Sequence, residues 1–170
     1  MPPPLPAAAA IGIACRAMTD ADLPFVASLY ASTRAEEVAA TGWPEATQAA
    51  FLEQQHLAQH HHYRATYPNA EWLIVERDGE RIGRLYLADQ GHELLLIDIS
   101  LIPDCRRSGI GAALIGDLLA FARSNGRPVT LHVERTNPAQ RLYERLGFRC
   151  VEEMAIYRRM VWQPPLADRA

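Results

Sequence analysis

The segment between residues 93 and 124 constrains the fold most. It consists of an apolar run, a short turn with glycines and an apolar helical pattern, in that order. Residues 93–101 are almost continuously apolar, which predicts a strand buried on both faces, and Pro103 ends it. Gly109 and Gly111 then open a helix over 110–124. Its apolar face carries Ile110, Ala113, Leu114, Leu118 and Phe121. A buried strand that leads directly into a helix indicates a sheet covered by helices.

Further strands and helices are predicted on both sides of this unit. Residues 72–76 and 81–87 form an antiparallel hairpin about the Asp78-Gly79 turn. The other predicted strands are 11–16, 129–133 and a final strand or strand pair within 148–162. The other predicted helices are 21–31, 47–64 and one opened by Asn137-Pro138, an N-cap followed by proline. Antiparallel strands come first and a strand–helix–strand–helix series follows, so we expect a mixed sheet with helices on both faces.

The length of 170 residues suits one domain, which we predict over residues 11–162. Residues 1–10 are rich in proline and alanine and are predicted to be a disordered leader, and 163–170 a flexible tail. The net charge of −3 is mixed along the chain, which argues against nucleic acid or an anionic membrane as a partner. No apolar run is long enough to cross a bilayer. A homodimer is left open.

The cysteines and histidines are not arranged as metal ligands. Cys15, Cys105 and Cys150 are far apart, so we expect free thiols in a reducing compartment, the cytoplasm. His56 and His60 have a helical spacing that suits a metal, but no H-E-x-x-H pattern or further ligand cluster accompanies them. We therefore expect no metal site and interpret the cluster as a solvated or acceptor-lining helix face.

The turn before the 110–124 helix has the chemistry of a phosphate site. A helix N-terminus has unpaired N–H groups and the positive end of the helix dipole. Gly109 and Gly111 let backbone N–H groups approach an anion, and Arg106 and Arg107 add cationic donors. The alternative is a turn that only needs two flexible residues. A dinucleotide fingerprint is excluded by Leu114, and no Gly-Lys-Ser/Thr of a P-loop follows.

A second informative stretch is N-P-A-Q-R-L-Y-E-R-L-G-F, residues 137–148. On its own, Tyr143 indicates a core aromatic residue, because it falls on an apolar helix face. That face also contains Ala139, Leu142 and Leu146. Asn137 on its own indicates a helix cap, with Gln140 at the position of a capping box.

Taken together, the R-x-x-G-x-G turn and N-P-A-x-x-L-Y-x-x-L-G-F resemble the GCN5-related N-acetyltransferase (GNAT) family. The resemblance extends over residues 11–162 and is specific over 94–148; R-x-M-T-D-A-D at 16–22 also looks like the family's first strand and helix start. It implies an α/β (α+β) fold with a mixed, mostly antiparallel central sheet of six to seven strands and helices on both faces. The chain has R-R-S-G-I-G where many members have R-G-K-G-I-G, and loss of the lysine is expected to weaken cofactor affinity.

The resemblance also implies a co-substrate, acetyl-CoA, whose acetyl group passes directly to an amine acceptor in a ternary complex. In the family, the pantetheine arm lies along the strand that matches Ile99 and Leu101, and the asparagine that matches Asn137 contacts the cofactor. The tyrosine that matches Tyr143 lies near the thioester sulfur, where a phenol can protonate the leaving thiolate. The pyrophosphate loop matches Arg106, Arg107, Ser108, Gly109, Ile110, Gly111 and Ala112. A catalytically inactive acyl-CoA-binding regulator and an unrelated phosphate-binding adaptor are the alternatives.

The catalytic base and the acceptor are left open. Strict alternation would place Asp98 opposite the strand face of Ile97 and Ile99, as an acid on a buried strand that needs either a partner or a catalytic role. It is the best carboxylate candidate, with a structural ion pair as its alternative. Glu93 and Glu134 are weaker candidates, and a water relay would need no base. A peptide N-terminus, a lysine side chain, a polyamine or an aminated metabolite all fit as acceptor.

Overall fold

A seven-stranded sheet forms the centre of the computed structural model, which describes residues 2–165. Its strands are β1 (Ile13–Ala17), β2 (Glu71–Arg77), β3 (Glu80–Asp89), β4 (Leu94–Leu101), β5 (Val129–Glu134), β6 (Arg149–Glu153) and β7 (Tyr157–Trp162). The helices are α1 (Pro6–Ala10), α2 (Leu23–Ala39), α3 (Glu45–Thr66), α4 (Ile110–Ser124) and α5 (Gln140–Arg145). The strand order is β1-β2-β3-β4-β5-β7-β6. β4 and β5 are parallel and the other neighbours antiparallel, so the predicted mixed, mostly antiparallel sheet is confirmed.

Helices α1, α4 and α5 cover one face of the sheet, where most of the apolar core lies. Leu114 and Leu118 of α4 belong to the same buried cluster as Leu85 of β3 and Leu131 of β5. Leu114 and Leu118 belong to the apolar stripe that the sequence predicts for α4. Packing against the sheet removes this stripe from water. Within residues 2–165, no helix is both long enough and apolar enough to cross a membrane.

Helices α2 and α3 lie on the other face, and α3 is held there largely by polar and aromatic contacts. Gln59 accepts a 2.9 Å hydrogen bond from Arg84 of β3. The guanidinium of Arg64 lies 4.7 Å from the centre of the Trp72 ring on β2. Contacts of this kind need no continuous apolar stripe, which explains why the sequence pattern of α3 is weak.

Strands β4 and β5 pair over three residues and then separate. The register runs from Leu94 opposite Val129 to Leu96 opposite Leu131. Beyond Leu96, β4 has no register with β5, and residues 97–101 are half-buried. The separation opens a wedge in the middle of the sheet, where β4 has no strand beside it on the β5 side beyond Leu96.

A β-bulge at Ile97 changes the face on which the later residues of β4 lie. Tyr86 of β3 pairs with Asp98, whereas the next residue, Leu87, pairs with Leu96, so Ile97 is an extra residue. The predicted strict alternation is therefore wrong beyond Leu96. Leu96 shares a face with Ile99 and Leu101, and Leu95 shares the other with Asp98 and Ser100.

Of the predicted disordered leader, residues 6–10 are ordered, and Met1 lies outside the described part of the chain. Pro6–Ala10 is helical, and Ala8 is fully buried. The buried Asp117 carboxylate on α4 accepts hydrogen bonds from the N–H groups of Ala7 (3.0 Å) and Ala8 (2.9 Å), which satisfies the helix N-terminus. The prediction fails here because the partner lies 110 residues along the chain from Ala7. Of the predicted flexible tail, residues 166–170 lie outside the described part of the chain.

Candidate active site

The predicted phosphate turn lies between the end of β4 and the start of α4. Gly109 is the N-cap of α4 with φ of 87°, a left-handed conformation that suits glycine. Arg107 also has positive φ, 57°, and its side chain is exposed. The Ser108 hydroxyl donates a 2.6 Å hydrogen bond to the Cys105 carbonyl and tightens the turn. The first N–H groups of α4, on Ile110, Gly111 and Ala112, have no side-chain cap, so they are available to an anion.

Arg106 connects this turn to β4 and α2. Its Nε donates a 2.8 Å hydrogen bond to the Leu101 carbonyl at the end of β4. Its Nη2 donates a 2.9 Å hydrogen bond to the Ser32 hydroxyl on α2. The exposed guanidinium therefore lies at the mouth of the wedge, beside the phosphate turn.

Tyr143 lies on α5, which packs against the start of α4. A Cβ on Gly111 would be 3.5 Å from Leu142 Cδ2, so the two helices approach closely at this point. The Tyr143 ring is buried and meets Phe148 edge-on, with 5.8 Å between ring centres. Its hydroxyl makes no hydrogen bond with another residue in the described part of the chain. Burial raises the pKa of Tyr143, and the Asp98 carboxylate adds to the rise, so the phenol stays protonated and keeps a proton to donate.

Asn137 caps a turn that precedes α5 rather than the α-helix itself. Its Oδ1 accepts a 2.9 Å hydrogen bond from the Ala139 N–H, and α5 begins only at Gln140. Gln140 does not complete a capping box. Its buried amide donates to the carbonyls of Glu134 (2.9 Å) and Arg135 (2.7 Å), which ties α5 to the end of β5. This positioning role is not visible in the sequence, because one carbonyl belongs to β5 and the other to the turn that follows it.

Asp98 forms an ion pair with Arg84 on the face of the sheet that α3 covers. Arg84 is only 3% exposed, and its Nη2 lies 2.8 Å from Asp98 Oδ2. The Ser100 hydroxyl donates a 2.7 Å hydrogen bond to Asp98 Oδ1. Burial by itself lowers the pKa of Arg84, but Asp98 and nearby tyrosines more than offset this, so the net pKa is raised. Both carboxylate oxygens thus have partners, which favours the structural alternative for Asp98.

The two weaker carboxylate candidates also have cationic partners. Glu134, at the end of β5, accepts a hydrogen bond from Arg34 of α2. Glu93 lies 3.6 Å from Arg159 of β7. Because both carboxylates have a cationic partner, neither stands out as the group that would take a proton from the acceptor.

A cavity of about 500 Å³ lies beside the wedge, and we name it the tyrosine pocket. Its ring side chains are Tyr30, His62, Tyr63, Tyr67, His132 and Tyr157. Its remaining polar side chains are Arg34, Gln55 and Gln59. Leu95, Leu96, Ile97, Ala58 and Met154 complete the lining. The sequence does not reveal this pocket, because its tyrosines come from α2, the end of α3 and β7, and only the fold brings these together.

The sequence profile of the Acetyltransferase (GNAT) family matches residues 31–148. The chain belongs to this family. The predicted family is thereby confirmed. A curated relative, mycothiol acetyltransferase of Actinosynnema mirum, is 35% identical over 91 residues. The match covers 51% of this GNAT chain and 30% of that protein's length.

Two solved structures share the GNAT fold along nearly their whole length. The PaiA N-acetyltransferase of Thermoplasma acidophilum, solved in complex with coenzyme A, has a TM-score of 0.66 at 18% identity, covering 89% of this chain and 98% of that one. An acetyltransferase from Thermus thermophilus has a TM-score of 0.64 at 16% identity, covering 89% and 96%. The predicted GNAT fold is confirmed.

In this GNAT chain, the histidines of α3 do not form a metal site. Within residues 2–165, no group of three or more histidine, cysteine, aspartate or glutamate residues could hold a metal ion. The His56 and His60 rings are 6.1 Å apart, and His56 packs against Tyr30. The Nε2 of His56 is buried and has no hydrogen-bond partner among the described residues. Burial, with a smaller effect of Arg84, lowers the pKa of His56 to about 4.

Because the folded pKa of His56 lies below its unfolded value of about 6.5, the fold favours the neutral ring. The resulting stability is complete above about pH 6.5 and is lost as the pH falls toward 4. We expect the loss to be on the order of 2–3 kcal/mol by about pH 4.5. His56→Leu should flatten the dependence of unfolding free energy on pH, measured by urea denaturation, whereas His61→Leu on the exposed side of α3 should leave it unchanged. Equal pH dependence in both variants would contradict the assignment.

Proposed function

We propose that this protein is an acetyl-CoA-dependent N-acetyltransferase that transfers the acetyl group directly to an amine acceptor in a ternary complex. The observation that supports the proposal most is the position of the β4–β5 wedge. The phosphate turn lies at the end of β4, and the tyrosine pocket lies where the strands begin to separate. A cofactor that enters at the turn and follows the wedge would present its thioester to the pocket.

The cofactor would be held mainly by backbone groups. In the proposal, the pyrophosphate binds the N–H groups between Arg107 and Ala112, with Arg106 beside it. The pantetheine arm would pair with the free edge of β4 at Ile99 and Leu101, where β5 is no longer a neighbour. Asn137 lies on the facing side, at the turn before α5, and would contact the cofactor there. Membership in a family of acetyltransferases supports acetyl-CoA as the co-substrate.

The reaction requires a neutral amine, a stabilised oxyanion and a protonated leaving group. Neutralising an amine with a pKa of about 10.4 at pH 7.4 costs about 4 kcal/mol. The amine nitrogen attacks the thioester carbon, and a β4 backbone N–H near Ile99 to Leu101 would donate to the oxyanion. The C–S bond then breaks, and the Tyr143 hydroxyl would donate its proton to the departing sulfur. The attacking amine loses a proton to water, and water then returns a proton to the Tyr143 oxygen, which restores the phenol.

Asp98 is the least supported of the catalytic candidates. Arg84 and Ser100 occupy both of its oxygens, so neither oxygen is free to contact the acceptor amine. We propose that Asp98 positions Arg84 and β4, and that desolvation with a water relay neutralises the acceptor.

Thiol release from acetyl-CoA with a panel of primary amines tests the proposed function. Amine-dependent release supports it, whereas tight acetyl-CoA binding without release would identify the protein as an acyl-CoA-binding regulator.

We also propose a cytoplasmic location, which is supported by free Cys15, Cys105 and Cys150. Assembly as a homodimer stays a prediction.

The Gly111→Val variant is expected to weaken CoA binding by about tenfold or more, because its side chain projects beside the N–H groups that would hold the pyrophosphate. Folding should be little affected, since a Cβ at this helical position meets only Leu142, at an ordinary contact distance of 3.5 Å. Calorimetry with CoA measures the effect.

Gly116→Val is the matched control in the same helix. A Cβ at Gly116 has open space around it, and the residue lies a turn and a half beyond the phosphate turn. It should keep the wild-type Kd for CoA. Unchanged affinity in Gly111→Val would show that the pyrophosphate lies elsewhere.

A further inference from the structure

The tyrosine pocket offers rings and neutral hydrogen-bonding groups to whatever binds in it. The hydroxyls of Tyr30, Tyr63, Tyr67 and Tyr157 make no hydrogen bond with another described residue. His62 and His132 add two further rings that can donate or accept. Aromatic walls of this kind favour a ligand with a flat apolar surface and a few polar groups.

Among the described residues, no aspartate or glutamate lines the tyrosine pocket. Arg34 does line it, and Glu134 and Glu37 are its ion-pair partners. A smaller adjoining cavity of about 160 Å³ includes Glu37, which is 3.0 Å from Arg34. Asp98 raises the pKa of Tyr63, after the larger effect of burial, but it is bound by Arg84 and lies outside the lining. No carboxylate is therefore left to pair with a cationic ligand in this pocket.

This charge balance selects against a ligand with more than one amine. A second ammonium that entered the pocket would lose water without gaining a counter-charge. Cation–π contacts with the tyrosine rings would offset only part of this desolvation penalty. The first amine reacts as a neutral group, and a pocket without a free carboxylate favours that neutral form.

We propose that the acceptor is a small molecule with a single amine on an otherwise uncharged, ring-bearing body, and that polyamines and other polycations are excluded. The inference rests on the proposed function, since it assigns the tyrosine pocket to the acceptor of that reaction. The cavity of about 500 Å³ lies in the size range of small-molecule sites.

Three simple amines separate the contributions of ring and charge. Pentylamine and cadaverine have the same chain and differ by one ammonium, whereas 2-phenylethylamine replaces the chain with a ring. Calorimetry on the CoA-loaded protein should show millimolar or tighter binding of 2-phenylethylamine, weaker binding of pentylamine and the weakest binding of cadaverine. Cadaverine that binds as tightly as pentylamine would overturn the inference, and so would absence of 2-phenylethylamine binding.

A carboxylate introduced into the pocket should reverse the charge preference. Gln55→Glu adds one in the lining, and we expect the affinity for cadaverine to rise about fivefold relative to pentylamine. Gln54→Glu adds the same charge at the neighbouring exposed position outside the lining and should not change the ratio. An unchanged ratio in Gln55→Glu, or an equal rise in both variants, would show that the pocket charge does not determine selection.

Failure of the proposed function and failure of this inference give different experimental results. A protein that does not bind CoA refutes the proposed function and this inference with it. A protein that binds CoA and releases thiol with cadaverine as readily as with 2-phenylethylamine refutes the inference alone.

Discussion

Replacing Tyr143 by phenylalanine is expected to lower kcat and kcat/KM together by about 10²-fold, or about 2.7 kcal/mol of transition-state stabilisation. The hydroxyl is the only group removed, and it makes no hydrogen bond with the described part of the chain. The ring would still meet Phe148, so the affinity for CoA and the melting temperature should remain close to wild type. The measurement is thiol release with the best amine of the panel, beside CoA calorimetry.

Tyr86→Phe is a suitable control for this variant. Tyr86 is also buried, and its hydroxyl donates to the Met18 sulfur on the other face of the sheet from Tyr143. It should retain wild-type kcat. Wild-type turnover in Tyr143→Phe would instead show that Tyr143 is only a core residue, the alternative that its apolar spacing allows.

Asp98→Asn is expected to destabilise the fold by about 3 kcal/mol, because it leaves the guanidinium of Arg84 buried without its counter-charge. For a chain of this length, the melting temperature should fall by about 6–12 °C. The amide is nearly isosteric and can still accept from Ser100, so β4 itself should persist. Thermal and urea denaturation measure the loss.

The double variant Arg84→Met with Asp98→Asn distinguishes a lost ion pair from a lost base. With the buried cation removed, most of the stability should return. The pH profile of kcat/KM should keep its shape in both variants if Asp98 only positions Arg84. A flattened acidic limb would show that Asp98 takes the proton from the acceptor.

Local sequence signals predicted most elements of the fold and the phosphate turn. Helix α4 begins at Ile110 and ends at Ser124 as its apolar period and the Asn125-Gly126 stop indicate. The Asp78-Gly79 turn joins β2 to β3, with positive φ at both residues. Signals of this kind act over one or two turns, so the residues that carry them are neighbours in sequence and can be identified there.

Contacts between distant residues were decided only by the tertiary structure. The bulge at Ile97 arises where β3 and β4 pair, and it moved the residues beyond it to the other face of the strand. The Asp117 carboxylate accepts a hydrogen bond from the first turn of α1, although the two are far apart in sequence. Arg84 is the ion-pair partner of Asp98. The sequence alone showed that Asp98 needed a partner, because a buried charge without one is unfavourable.

The phosphate turn and the tyrosine pocket show most clearly what the sequence revealed and what only the fold decided. By itself, the sequence indicated the family and predicted the phosphate turn, because backbone groups at a helix N-terminus suit an anion and the spacing of the glycines is visible in the sequence. The tertiary structure determined the tyrosine pocket. Tyr30, Tyr63 and Tyr157 come from three different elements, and they line one cavity because of packing rather than any local pattern.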